Sequence, residues 1–392
     1  MFALLKAACK APVRTAAALA TAAMLAACGP MPSGGGFGGP ALQPGDPVKV
    51  ALLVPQNSGT SGDAVLSQSL ENAARLAMSD LEGVEIDLRV YDTGGNAATA
   101  QSAANRAVVE GAQIILGPVY AGEANAAGLA ASQGGVNVLS FSNNTSIAGG
   151  NVWVLGHTFE NTGQRLAQYA VSHGKPRGVI AYSTDVQGQT AATAVRDAVA
   201  RAGGSIVAEV PHEFTQQGVV NAVPQIKSAV ETNGADALYL TANTAGALPL
   251  FSQMLPEQGI SSDTTQFVGL TRWDIPSQTL DLPGVQGGWF TLPDPNRTAQ
   301  FNSRYGAAYG SAPHPIASLA YDGIAAIGAL AAQGRGLGAG DLTQGAGFQG
   351  TGGVFRLLPD GTNERGLAVA TIQDRQVQVI DPAPRSFGGA GF

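Results

Sequence analysis

The sequence predicts an α/β protein built as two doubly wound, Rossmann-like lobes around a cleft. Three observations carry that expectation. Short apolar strand runs alternate with segments of helical apolar spacing, and the alternation restarts midway along the chain. The length, 392 residues, also suits two lobes better than one small domain.

The elements follow in order. Val48–Val54 is a buried-strand run stopped by Pro55, and a polar loop leads to helical spacing of Leu66, Leu70, Ala73, Ala74 and Ala77 over 64–81. Residues 84–91 alternate apolar and charged positions and end at Asp92; a helix over 97–110 and a strand at 114–116 follow. One more helix–strand step, at 125–131 and 136–139, completes a first unit. The second reads as strands at 178–182, 206–210, 237–240 and 266–270, interleaved with helices at 190–202, 218–230 and 245–258. Late helical stretches at 299–309 and 316–332 should return to the first lobe. The end looks antiparallel, with strands at 354–357, 367–372 and 376–380 and a turn at Pro359, Asp360 and Gly361. The expected division is 48–156 with 293–339 for the first lobe and 157–292 with 340–384 for the second, leaving 385–392 as a tail.

Residues 1–27 read as an address rather than a fold. Lys6, Lys10 and Arg14 precede an Ala-rich apolar stretch too short to span a bilayer. It ends in Leu25, Ala26, Ala27 and Cys28, which resembles a bacterial lipobox; that implies a lipoprotein signal peptide, acylation of the Cys28 thiol and a periplasmic lipid anchor. Gly29, where an Asp would otherwise redirect sorting, resembles the outer-membrane class. Residues 28–47 are a Gly/Pro-rich tether without core periodicity. The formal charge is −7, and removing the three basic residues of the signal from 21 against 28 acids leaves −10, which argues against nucleic acid as a partner. Cys28 is the sole cysteine after the signal, so no disulfide is expected.

Catalytic signatures are missing. There is no Gly-x-Ser-x-Gly elbow, P-loop or His-Glu-x-x-His, and His157, His173, His212 and His314 are too dispersed for a metal site. The expectation is a non-enzyme with no cofactor and no metal.

Several segments in order resemble one family. They are Val50 to Pro55, the Tyr91–Asp92 strand end, Ile115 to Tyr120, Leu139 to Asn144, Val179 to Tyr182 with Gln187 and Gly188, Gly234 to Ala237, Phe267 to Gly269, and Gly350 to Arg356 followed by Asp360 and Gly361. This set is similar to the type 1 periplasmic binding proteins, specifically the leucine/isoleucine/valine branch, over roughly residues 48–381. Within that fold it looks closest to the penicillin-binding protein activator lipoproteins. The resemblance implies hinges near Gly156 and Leu292 and a ligand gripped by loops at strand ends. It places first-lobe contacts at Ser61, Ala121, Ser142 and Asn144, and second-lobe contacts at Gln187, Asn243 and Thr271.

The Ser142–Asn144 loop suits a carboxylate, and equally a plain polar turn. The second lobe departs from the family: Thr271 stands where amino-acid binders carry the acid that meets the ammonium, and Asn243 and Gln187 replace aromatic walls. Arg272, Asp274 and the Trp273 ring are the neighbours available to compensate. Free branched-chain amino acids are therefore expected to bind weakly, on the order of 100 μM or worse. Two readings remain. One is an interaction module touching a cell-wall synthase (a penicillin-binding protein), toward which the lipobox, the tether and the altered ammonium site lean. The other is a solute receptor delivering an amino acid or other small polar ligand to an ABC permease.

Overall fold

The computed structural model describes residues 40, 42, 43 and 45–388; the signal, Cys28, most of the tether and the last four residues lie outside that range. The first sheet consists of β1 (Val48–Val54), β2 (Ile86–Asp92), β3 (Ile114–Leu116), β4 (Asn137–Ser140) and β5 (Val152–Val154), all parallel, in the order β2-β1-β3-β4-β5. The twofold period of a strand explains why it is covered on both faces. Val48, Val50, Leu52 and Val54 enter one core, while Ala51 and Leu53 enter the other. On the first side lies α1 (Asp63–Met78); on the second lie α2 (Ala97–Val109) and α3 (Ala121–Ser132). These last two meet through alanines, Ala100, Ala103, Ala104 and Ala107 on α2 and Ala124, Ala127, Ala130 and Ala131 on α3. Small side chains let the helices close up, which is how a chain with 6% aromatic residues still builds a dry core.

The second sheet repeats the plan. It contains β6 (Arg177–Ser183), β7 (Ser205–His212), β8 (Ala237–Leu240), β9 (Gln266–Gly269) and β10 (Trp289–Leu292) in parallel. Helices α4 (Phe159–Ser172) and α5 (Val186–Arg201) cover one face, and α6 (Gln216–Asn233) and α7 (Leu248–Glu257) the other. Pro211 is tolerated in β7 because that strand is the sheet edge. The chain then returns to the first lobe through α8 (Pro295–Tyr309) and α9 (Ser318–Ala332), whose Phe301, Tyr305, Ile324 and Ile327 join the α1 core.

The structure corrects the last boundary. After the short α10 (Ala339–Leu342), β11 (Phe348–Gly350), β12 (Gly353–Leu357) and β13 (Asn363–Arg365) form a separate antiparallel sheet. Phe348, Phe355 and Leu357 pack into the first-lobe core, so residues 340–365 belong there and not with the second lobe. The turn at Asp360 and Gly361 joins β12 to β13, not to the strand after it. Only β14 (Ala368–Gln373) and β15 (Gln376–Asp381) cross over, pairing antiparallel at the edge of the second sheet beside β10.

Trp273 is a second correction. Its ring is fully buried in the second-lobe core and lies against Gly269 and Gly288, so it offers no stacking face to a ligand. A Cβ on Gly269 would sit 2.1 Å from Trp273 Cε2, and no rotamer of a packed indole relieves that. Gly269→Ala is expected to lower the unfolding free energy by about 1–3 kcal/mol in urea denaturation. An unchanged midpoint would mean that the indole is not packed as described.

Candidate functional site: the interlobe cavity

The chain crosses between lobes at 155–158, 292–294 and 365–368, and polar side chains lace the crossings together. Asn363 Nδ2 donates to Val154 O (2.7 Å) and Gly156 O (3.0 Å), and Asn161 Nδ2 donates to Asn363 O (2.8 Å). Arg365 Nε donates to Leu155 O (3.1 Å), and its Nη1 donates to Asp322 Oδ2 (3.1 Å) on α9. Asp322 Oδ1 accepts the Thr351 N–H (2.7 Å) and hydroxyl (3.0 Å). The ion-paired side chains are only 4% and 1% exposed, so both charges are out of water and each depends on the other.

Beside these crossings lies a cavity of about 470 Å³. The second lobe contributes Thr158, Thr162, Thr271 and Arg272. The first contributes Phe301, Asn302, Ser318 and the turn of Pro313, His314 and Pro315. His157, Leu292, Pro293, Asp322 and Arg365 form the hinge wall. The position is dictated by topology: loops after parallel strands gather at their carboxyl ends, and two such sheets joined by crossings enclose a cleft. Desolvation, together with the charges of Arg365 and Arg272, holds His157 well below the usual histidine range. Burial also lowers His314, whose Nδ1 accepts the Ile316 N–H (3.4 Å). Both imidazoles are thus neutral at pH 7.

Of the positions expected from the sequence, Thr271 lines this cavity, and its hydroxyl donates to Ala242 O (3.3 Å). The other six lie on strand-end loops or first helical turns of the two sheets, outside the cavity wall. Gln187 and Asn243 share a small depression with Ser183, Asp185, His212 and Phe214. Ser61 is exposed before α1, and Ala121 is the first residue of α3. Ser142 is buried, its N–H bonded to Ser140 Oγ (3.1 Å); Asn144 N–H donates to Ser142 Oγ (3.1 Å), and Asn144 Oδ1 accepts the Ser146 N–H (2.9 Å). These local bonds make the loop a capped polar turn. Next to it, Thr145 Oγ1 reaches the other lobe and donates to Glu160 Oε1 (3.0 Å) on α4.

Sequence reasoning did not anticipate the roles of Arg365, Asp322, His157 or His314. One signal was available for Asp322, a lone carboxylate inside the otherwise apolar α9 run. Arg272 and Asp274 do form an ion pair, Nε to Oδ1 at 2.6 Å, with the arginine side chain still 38% exposed.

The comparisons with known proteins agree with this geometry. The periplasmic binding protein family profile matches residues 47–376. The chain belongs to that family. Solved structures of this type superpose over nearly its whole length. A putative branched-chain amino acid ABC transporter protein from Rhodospirillum rubrum has a TM-score of 0.71 at 20% identity, covering 86% of this chain and 100% of its own. A branched-chain amino acid ABC transporter periplasmic ligand-binding protein from Burkholderia xenovorans gives 0.66 at 18%, covering 87% and 97%. A solute-binding protein from Rhodopseudomonas palustris, solved with benzoate, gives 0.56 at 16%, covering 88% and 99%. No functionally curated protein matches the sequence. At these identities the structural likeness establishes the fold of this periplasmic binding protein, two lobes of mixed α/β architecture, and leaves its ligand to the site itself.

Proposed function

We propose that this periplasmic binding protein is a non-catalytic solute receptor that takes a small polar ligand between its lobes and presents it to an ABC permease. The observation that carries the reading is the cavity of about 470 Å³ at the crossings, walled by both lobes and large enough for a small solute. The similar solved structures, described as ABC transporter proteins, support the same reading. The strand-end loops fit it as well: Tyr120 in the first lobe and Val186, Phe214 and Ile275 in the second expose large apolar surface of the kind that closure or a ligand covers. Ser61, Ala121, Ser142, Asn144, Gln187, Asn243 and Thr271 are the proposed contacts in the closed state.

The second reading, a lipoprotein that regulates a cell-wall synthase in the manner of penicillin-binding protein activators, is favoured by the lipobox at Cys28 and the long Gly/Pro tether. Both readings put the protein in the periplasm, acylated at Cys28; outer-membrane sorting through Gly29 would fit the second reading better than the first. Cross-linking in native membranes followed by purification separates them. The receptor reading expects an ABC permease to co-purify. A penicillin-binding protein in its place would transfer the conclusion to the second reading.

A further inference from the structure

The cavity wall offers spare donors and, among its described residues, no free carboxylate. Asp322 is the one carboxylate among its described lining residues, and both of its oxygens are engaged, by Thr351 and by Arg365. An ammonium entering the cavity finds no free carboxylate to offset its desolvation. Donors are abundant by contrast. Arg272 spends Nε and Nη2 on Asp274, which does not line the cavity, and keeps N–H groups to spare on a partly exposed guanidinium. The His157 imidazole makes no hydrogen bond among the described residues. The Ile316 N–H on His314 Nδ1 places the proton of that ring on Nε2, a donor. Hydroxyls of Thr158 and Ser318 complete the wall, while that of Thr271 already donates to Ala242 O.

On the solute-receptor reading, we propose that this cavity takes a small organic anion carrying no ammonium group, held from Arg272, His157 and His314. The charged groups on the His157 side are Arg272, Arg365 and, paired with Arg365, Asp322; they and burial keep the ring neutral, and burial does the same for His314. An anion beside the rings favours their charged forms, so binding draws in protons, and affinity is highest on the acid side and falls as pH rises out of the lowered histidine range.

Calorimetry on the full-length protein with three ligands built on one 3-methylbutyl chain tests the proposal: 4-methylpentanoate, leucine and 3-methylbutylamine. The carboxylate should bind about tenfold or more tightly than leucine, and the amine should not bind. At mildly acid pH the heat should depend on the ionisation enthalpy of the buffer, and the carboxylate should weaken as pH rises from about 5 to about 7. Arg272→Gln should weaken the carboxylate about tenfold or more while leaving uptake of protons in place. The double variant His157→Gln, His314→Gln should remove the buffer dependence. If leucine or the amine binds as tightly as the carboxylate, the anion assignment is overturned while the receptor reading stands. If none of the three binds at millimolar concentration, the anion assignment is overturned, and the receptor reading falls with it only if no other small solute closes the lobes.

Discussion

Arg365→Met is expected to lower the unfolding free energy by about 3–5 kcal/mol, the largest effect of any single substitution considered. The methionine replaces the alkyl stem of the arginine but leaves Asp322, 1% exposed, with no countercharge, and it removes the guanidinium bonds to Leu155 O. The pair sits where the crossings at 155–158 and 365–368 meet α9, so the hinge should loosen along with the fold. Urea denaturation measures the loss. Removing both charges, as Arg365→Met with Asp322→Leu, should recover much of it, because the cost lies in the stranded carboxylate more than in the lost attraction. Equal losses in the single and double variants would contradict that account.

Glu123→Gln is expected to stabilise the protein at pH 8 and do little at pH 5. Glu123 lies in the first turn of α3, 2% exposed, with Oε2 accepting the Thr93 hydroxyl (3.1 Å) and Oε1 unpartnered. Burial pushes its carboxyl up to about 7; the Thr93 bond opposes that shift, and nearby Asp63 and Asp92 add to it. The folded protein therefore keeps this proton between roughly pH 4.5 and 7, where the unfolded chain has released it. Stability is present below that window and lost as pH rises through it, by on the order of 2–3 kcal/mol at pH 8. Glutamine carries no such penalty. His157 and His314, held neutral, tilt stability the opposite way near pH 6.5, so the difference between variant and parent isolates Glu123. Denaturation curves at the two pH values decide it; parallel pH slopes in variant and parent would refute the buried-proton account.

Most of the architecture was legible because doubly wound sheets write themselves locally. The run from Val48 to Val54 is apolar on both faces, and α1 and α2 carry unbroken helical spacing. What escaped depends on partners far away in sequence. Strand β5 is three residues long, and β10 follows two short 3₁₀ turns, so neither has a periodic signal of its own. Residues 354–365 look like part of a continuous antiparallel tail. Only the docking of Phe348 and Phe355 on the α9 core assigns them to the first lobe. Little of the site was legible. Resemblance marked Thr271, which lines the cavity, whereas the Asp322–Arg365 pair joins residues 43 apart without any motif. Trp273 looked available because it adjoins Thr271, yet its direction is set by the space that Gly269 and Gly288 leave in the core.

On the receptor reading the two lobes close on a solute held at the crossings, and small-angle scattering with and without ligand reads that closure. A ligand touching both lobes should shrink the radius of gyration and saturate with the concentration dependence seen in calorimetry, because only differential contacts to the closed state can shift the hinge. An unchanged radius across amino acids and small organic anions up to millimolar concentration would contradict the receptor account.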